Sequence, residues 1–598
     1  MPNEPLTFHD QLLFFLQDDL EKKKKEEGWD DHYDEMMRSY SDSISHAIRS
    51  SAPMPLEEII EQHRHLFQER GPMHLEQKLL HAFPDTEMSS LHLKSLRMVR
   101  GLPRLYRKNQ PQITKLKPNF SYLPSLKRSA AMKPLFSLYG QMAIPTDAKM
   151  TILSWVIPDG WGDYYASIEA ARLIKSAFPT MEIRLIAMSD KELPVVADWD
   201  VARWDGSEKQ IEWLSACDLI LQMPTYYPQT DEIKAQIQAL PTQGQPKWEL
   251  LGQYGSLESD LFHPGTRAHS MGLHFLERGI LTRTVDPSLS VSELQNEQLS
   301  QWLFNQSAPG YEEIGQYRQT HRFFLAYFFS QPGIFVYLHA LLKSLENDPK
   351  DIDLCVPDSA KILAYFEQRL AAKLDLIEKR YQVQKIVFHI GTHAAVWNME
   401  PEGKTLRIFC PEPISSSDFQ RLIVFSEEFV ACRGDQSLSE VISYNKCFFY
   451  DPRDHNRFFL KDLIALAQNR IPQYPSSVEV LRLFAKVLEH NLPEDNQDWV
   501  DEIFVQQQKT DLLEIAETMG RHLQDPKTFA GFKKLNRILL EEHSCNEFLL
   551  HLVQRAICHR RFPEIERLEE EELARFSLGK QSFSCVVNSL LAHLKNCC

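Results

Sequence analysis

Thr151-Ile152-Leu153-Ser154-Trp155-Val156-Ile157-Pro158-Asp159-Gly160-Trp161-Gly162-Asp163 is the stretch that decides the fold. A compact apolar run ends in a turn of glycines and aspartates, and helical spacing follows from about Tyr164 to Phe178. A run of that length bounded by a turn predicts a buried strand feeding a helix. Met181–Ala187 and Cys217–Gln222 repeat the apolar pattern, and Trp248–Gly255 leads into a glycine-bearing loop. Strands alternating with helices predict a parallel sheet covered on both faces.

The pattern restarts near residue 320. Phe323–Phe329, Asp351–Val356, Ile386–Ile390, Leu406–Cys410, Phe429–Cys432 and Cys447–Tyr450 read as strands, with helices over 333–345, about 359–380 and from the second glycine-acid turn to about Tyr444. That turn is Arg433-Gly434-Asp435-Gln436-Ser437, and like the first it stands where a strand becomes a helix. α/β proteins hold anions and reacting groups at such junctions. Two of them in consecutive units suggest a cleft with a nucleotide-linked donor on one side and an acceptor on the other.

The expected organisation is a helical N-terminal domain over 1–90, a basic Pro-interrupted linker over 91–148, Rossmann-like domains over 149–318 and 319–472, and a helical C-terminal region over 473–598. No acidic residue lies between Glu87 and Asp147, where basic residues run from Lys94 to Lys133. That segment reads either as a docking surface for an acidic partner or membrane face, or as a linker lying across acidic domains of its own chain.

Bulk properties narrow the class. A chain of 598 residues is too long for one core, and 43% hydrophobic with 25% charged residues is ordinary globular composition. No apolar stretch approaches the roughly 20 residues needed to cross a bilayer, and no secretory signal is visible at the start. Ten scattered cysteines without C-x-x-C spacing fit reduced thiols in a cytoplasmic setting. A net charge of −16 argues against general nucleic-acid binding.

The two turns can be read for chemistry. Gly434 permits a sharp backbone turn, and a helix start near Ser437 offers unpaired N–H groups and a partial positive charge that suit a diphosphate. Asp435 or Ser437 acting only as a helix cap is the alternative. In the first turn Gly160 and Gly162 permit close backbone approach around Trp161, while Asp159 and Asp163 supply carboxylates above a strand end, one of which could take a proton from a nucleophile. A turn opened by Asp163 as a cap explains the same residues.

In order, context and separation the two turns resemble those of GT-B glycosyltransferases, in particular the elongation-factor-P arginine rhamnosyltransferases. That family carries Asp-Asn-Phe-Gly-Asp after its first strand and Arg-Gly-Glu-Asp-Ser late in its second domain; Asp159–Asp163 and Arg433–Ser437 are similar, as is Lys446–Tyr450. The resemblance covers roughly residues 149–470 and implies an α/β fold of GT-B architecture, two Rossmann-like domains with helical extensions at both ends. It further implies transfer of a sugar from a nucleotide-diphosphate sugar to a protein or other acceptor, with inversion and without a metal or other cofactor. On that footing Asp159 is the general base, Asp163 places acceptor or base, Asp435 stands where the family has a functional glutamate, and Arg433, Gly434, Gln436 and Ser437 hold the donor. Asp435 is one methylene shorter than that glutamate and Gln436 replaces an aspartate, so the identities of sugar and acceptor do not carry over. The competing class is a non-catalytic scaffold on a degenerate fold of the same kind.

Other residues have weaker readings. Gly391-Thr392-His393 could meet the donor as a loop in the cleft, whereas His389 and His393 lack the carboxylate or cysteine company of a metal pair. Gln253 and Tyr254 could line the acceptor side. Tyr327–Phe329 could stack a base but suit core packing, and Asp351-Ile352-Asp353 reads as surface acids. Glu569–Glu572 resembles the glutamate block of some bacterial type IV secretion substrates, which would imply an effector translocated into a host cell; an exposed helical face explains it equally. The terminal Cys597-Cys598 resembles a prenylated end.

Overall fold

The computed structural model describes residues 135–598 apart from 157–160, 190–191, 195, 197–198, 224–245, 253, 255–265, 274–276, 287, 358–361, 363–365, 367–375, 379, 391–392, 400–401, 412–413, 453–455, 491–510, 578–582 and 598. The expected helical domain over 1–90 and the basic stretch from Lys94 to Lys133 therefore lie outside the described residues. Gly140–Arg561 is one compact unit, and the residues on either side of it belong to another.

In the first half of the large unit β1 (Lys149–Trp155) leads to α1 (Gly162–Ala177), β2 (Glu182–Met188), β3 (Val201–Arg203), α2 (Glu208–Ala216), β4 (Leu219–Met223), β5 (Lys247–Gly252) and β6 (Arg267–Ser270). These strands form a six-stranded sheet in the order β3-β2-β1-β4-β5-β6, every neighbour parallel. Every residue of β4 is buried, which is why a strand covered on both faces reads as an unbroken apolar run. Leu153, Ile186, Trp213, Leu214, Ile220 and Leu250 form the core beneath α2. The order 3-2-1-4-5-6 is that of a doubly wound dinucleotide-type sheet, with its switch point between β1 and β4.

In the second half a 3-10 turn (Val291–Glu293), α3 (Glu297–Phe304) and α4 (Tyr311–Thr320) precede β7 (His321–Leu325), α5 (Gln331–Ser344) and β8 (Asp351–Cys355). β9 (Val383–Ile390), β10 (His393–Asn398), β11 (Lys404–Cys410), α6 (Ser416–Phe425), β12 (Phe429–Cys432), α7 (Gly434–Ser443) and β13 (Cys447–Tyr450) follow. The sheet order is β10-β9-β11-β8-β7, with β10 an antiparallel edge strand. Paired β12 and β13 continue it beside β7 through the parallel bridge of Ala326 with Ala431. From β11 to β13 the order is again doubly wound, and its switch point lies between β7 and β12.

Helices close the unit: α8 (Arg457–Arg470), α9 (Pro475–Glu489), α10 (Leu512–Leu523), α11 (Pro526–Glu542) and α12 (Asn546–Arg561). α10 packs on α5, and α11 on α7 and β13. α12 crosses back to α1, β4 and β5 of the first half, where Arg555 reaches the buried Glu249 at 3.4 Å. Two Rossmann-like sheets joined in this way are the GT-B arrangement.

In the other unit α13 (Pro563–Ser577) packs on α14 (Phe583–Cys597). The Glu569–Glu572 block lies on α13 and is split between surface and interior, with Glu571 exposed and Glu570 half-buried. Glu569 is wholly buried and accepts a hydrogen bond from Tyr139 Oη at 2.6 Å, and Glu572 is 6% exposed. Among the described residues no helix is long and apolar enough to cross a membrane.

Candidate functional site

Both glycine-acid turns stand at the switch points of their sheets. The first follows β1; its Asp159 and Gly160 lie outside the described residues, as does Gln253. Trp161 is the N-terminal boundary residue of α1, and no side chain caps that helix. Asp163 therefore sits inside the first turn rather than opening it as a cap. It is 8% exposed, and its carbonyl accepts from Ser167 Oγ at 2.9 Å, which fixes the helix start against Met223 at the end of β4.

The second turn follows β12. Arg433 is extended, Gly434 takes φ +71°, and no side chain caps α7. A residue with a Cβ is rarely found at that φ, so glycine is the natural occupant. Neither Asp435 nor Ser437 caps the helix. Ser437 Oγ donates back to Arg433 O, so its hydroxyl proton is already engaged and a phosphate here would meet backbone N–H groups. The other helix start at this switch point, α5, is filled from within: Asp451 accepts from Phe329 N at 2.7 Å and from Ser330 N at 2.8 Å, and Ser330 Oγ caps Gly333 N at 2.9 Å. Of the two helix starts, that of α7 is the one without a side-chain cap, the arrangement that suits an anion.

Asp435 Oδ2 accepts from the Tyr254 main-chain N–H at 3.0 Å, and Oδ1 from Asn456 Nδ2 at 2.7 Å. The carboxylate that adds negative charge to the first turn of α7 is thus directed at the loop after β5 and the start of α8. Tyr254 is 1% exposed, stacks on Phe459 at 4.5 Å and pairs its hydroxyl with Ser439. Burial, followed by the charge of Asp435, pushes its phenol well above the ordinary range. Arg433 lays its guanidinium over the Tyr327 ring at 4.0 Å and donates to Phe328 O at 3.0 Å. Tyr327 is therefore a platform for Arg433 and only half-buried, while Phe328 alone behaves as the expected core residue.

α1 and α7 pack together, and a Cβ built on Gly162 would lie 3.8 Å from Gln436 Cβ. The described end of the first turn thus lies beside the second, about 270 residues away in sequence. Behind them Arg283 NH1 donates to Glu440 of α7 at 2.6 Å, and NH2 pairs with Glu169 of α1, which also pairs with Arg172. Burial raises the Glu440 carboxyl to about 7, against the opposing effect of Arg283. Glu169, Arg172 and Tyr165 of α1, Arg283, and Gln436 and Tyr444 of its own helix face or surround it. A carboxyl raised by folding contributes its full stability below about pH 4.5 and loses it as pH rises through about 7. Glu440→Gln, neutral at every pH, is expected to match the wild type in thermal unfolding at pH 5 and to exceed it at pH 8. A gap that stays constant with pH contradicts the assignment.

Other expected site residues lie elsewhere. Gly391 and Thr392 are outside the described residues, in the connection between β9 and β10, and His393 opens β10. β9 stands four strand positions from β12, about 19 Å at roughly 4.8 Å per strand. His389 stacks on Phe409 at 5.0 Å and meets the tilted ring of Trp302 at 5.5 Å. Asp353 corrects the surface-acid reading: it is wholly buried, held by Arg407 at 2.5 and 2.7 Å, and accepts from Tyr317 Oη at 2.6 Å. Arg283, Glu440 and Asn456 escaped the sequence reading because nothing beside them in the chain marks a partner over 20 residues away or in the other half.

No protein-family profile matches the chain, and no curated protein matches it. Among solved structures it is similar to an alpha-glucosyltransferase in complex with UDP and a 13-mer DNA containing a central A:G mismatch, at 10% identity and TM-score 0.35, over 68% of this chain and 99% of that one. It is similar also to the structure explaining EarP-mediated arginine glycosylation of translation elongation factor EF-P, at 15% identity and TM-score 0.33, over 68% and 99%. A third is the E. coli heptosyltransferase WaaC with ADP-2-deoxy-2-fluoro heptose, at 10% identity and TM-score 0.20, over 50% and 88%. At these scores the likeness is loose, and the two doubly wound sheets stand on their own hydrogen-bond registers.

Proposed function

We propose that the chain is a glycosyltransferase that moves a sugar from a nucleotide-diphosphate sugar to a protein or other acceptor, without a metal. The observation that carries this reading is the juxtaposition of two helix starts without side-chain caps, α1 and α7, each at the switch point of its own sheet. The leaving diphosphate lies against the N-terminus of α7, whose N–H groups take up the charge that develops as the anomeric C–O bond breaks. The acceptor approaches from the α1 side. Asp159 takes its proton as it attacks the anomeric carbon, an in-line displacement that inverts configuration. Asp163 sets the start of α1, and Arg433 borders the donor. Asp435, in the place of the family's glutamate, positions the loop after β5 through Tyr254 N.

A panel of nucleotide sugars, read by hydrolysis, together with thermal shifts by UDP, ADP, GDP and dTDP, tests the proposal. One nucleoside diphosphate is expected to raise the unfolding midpoint, and its matching sugar to be hydrolysed. No shift and no hydrolysis with any member overturns the reading and leaves the scaffold alternative.

A further inference from the structure

The chain passes between the two halves of the large unit twice. The first crossing leaves β6 and reaches the 3-10 turn at Val291; the second is the turn between α11, which packs on α7 and β13, and α12, which packs on α1, β4 and β5. The crossings are hydrogen-bonded to each other. Ile280 N donates to His543 O at 2.7 Å, and Cys545 N to Ile280 O at 2.8 Å. Asn546 brackets Thr282, accepting from its N–H at 3.0 Å and donating to its carbonyl at 2.8 Å. Thr282 and Ser544 pair their hydroxyls at 2.9 Å. Gly279, at φ +94°, is where the strands come closest: a Cβ there would collide with His543 O. The next residue after this bracket, Arg283, joins α1 to α7 through Glu169 and Glu440, and its own N–H donates to Ser443 Oγ at 3.0 Å. Its side chain is 7% exposed and the carboxylates 10% and 6%, so solvent screens none of them well.

We propose that segments 279–283 and 543–546 form a single two-stranded hinge between the halves, and that Arg283 is the positioning residue that carries its setting to the two helices bearing the glycine-acid turns. A pair of crossings tied by main-chain bonds can bend only together. A guanidinium forked between two carboxylates fixes both partners in direction as well as distance, which an ammonium does not. The consequence for catalysis rests on the transferase reading; the hinge does not.

Hydrogen exchange of the full chain, wild type against Arg283→Met, tests it. The variant is expected to speed exchange by about tenfold or more in three stretches distant in sequence: 280–283, 543–546 and the first turns of α7. β1, β4 and β8 should stay at wild-type rates. Acceleration confined to the neighbours of residue 283, or none, overturns the hinge. Should Arg283→Met fail to fold, Arg283→Lys reports the same three stretches with a smaller change, since one ammonium reaches one carboxylate. With any sugar that the wild type turns over, Arg283→Met should lower kcat with donor KM unchanged, and Arg283→Lys should recover part of the loss. A change in KM alone counts against positioning. If no sugar is turned over the transferase reading falls, and the exchange pattern still decides the hinge.

Discussion

Asp159→Ala is expected to lower sugar transfer by roughly 10²–10⁴-fold while leaving nucleoside-diphosphate affinity as in the wild type. The separation of the two effects follows from where the residues stand. Asp159 follows β1 in the sequence, on the proposed acceptor side, whereas the proposed diphosphate contact is the N-terminus of α7, which follows β12. A general base acts on a proton that moves only in the transition state, so its loss appears in kcat and not in donor binding. Asp159→Asn keeps the shape of the side chain, removes the basic oxygen and should be nearly as slow. Calorimetry with the nucleoside diphosphate and turnover with the matching sugar read the two quantities independently. Unchanged turnover in either variant removes Asp159 from the role of base. Loss of diphosphate affinity with turnover would instead place the first turn in the donor site.

The sequence revealed the fold where local chemistry and burial agree. β4, β12 and β13 are buried throughout, so their strand character survives in a bare run of apolar residues, and the glycines of both turns mark the following helices. β3 and β6 were not legible: β3 spans three residues with two of them exposed, and β6 carries Arg267 and His269 within four residues. β7 is shorter than its apolar run because, past the bridge at Ala326, Tyr327–Phe329 leave the strand to build the platform for Arg433 and the start of α5. The candidate site was legible as two turns on either side of one cleft, but the contacts that join them were not. What joins them is long-range: Tyr254 to Asp435, both marked in the sequence but not as partners, and Arg283 to Glu169 and Glu440, which carry no local signature. The glutamate block failed differently, because a run of like charges says nothing about which of its members lies under a helix.

Asp353→Ala is expected to destabilise the large unit by about 3 kcal/mol, the lower end of the range for breaking a buried ion pair by removing one partner. Asp353 and Arg407 are register partners on β8 and β11, so the pair lies across the middle of the second sheet. The carboxylate is wholly buried, while the guanidinium side chain keeps 21% exposure and can recover some hydration, which sets the lower figure. Two acceptors vanish together: those for the Arg407 fork and for Tyr317 Oη, through which α4 is fastened to the sheet. The phenol of Tyr317, raised far above its usual range by burial and then by the neighbouring charge, stays a donor and would lose its Asp353 acceptor. Asp353→Asn keeps an acceptor for one of the two donors and should fall between wild type and alanine. Asp353→Ala combined with Arg407→Leu removes the stranded charge as well as its partner, so it should recover most of the loss. Urea unfolding of the full chain measures the series. An alanine variant as stable as the wild type, or a double variant weaker than the single, would mean that the pair is a passenger on the sheet and that β8 and β11 hold α4 by apolar contact alone.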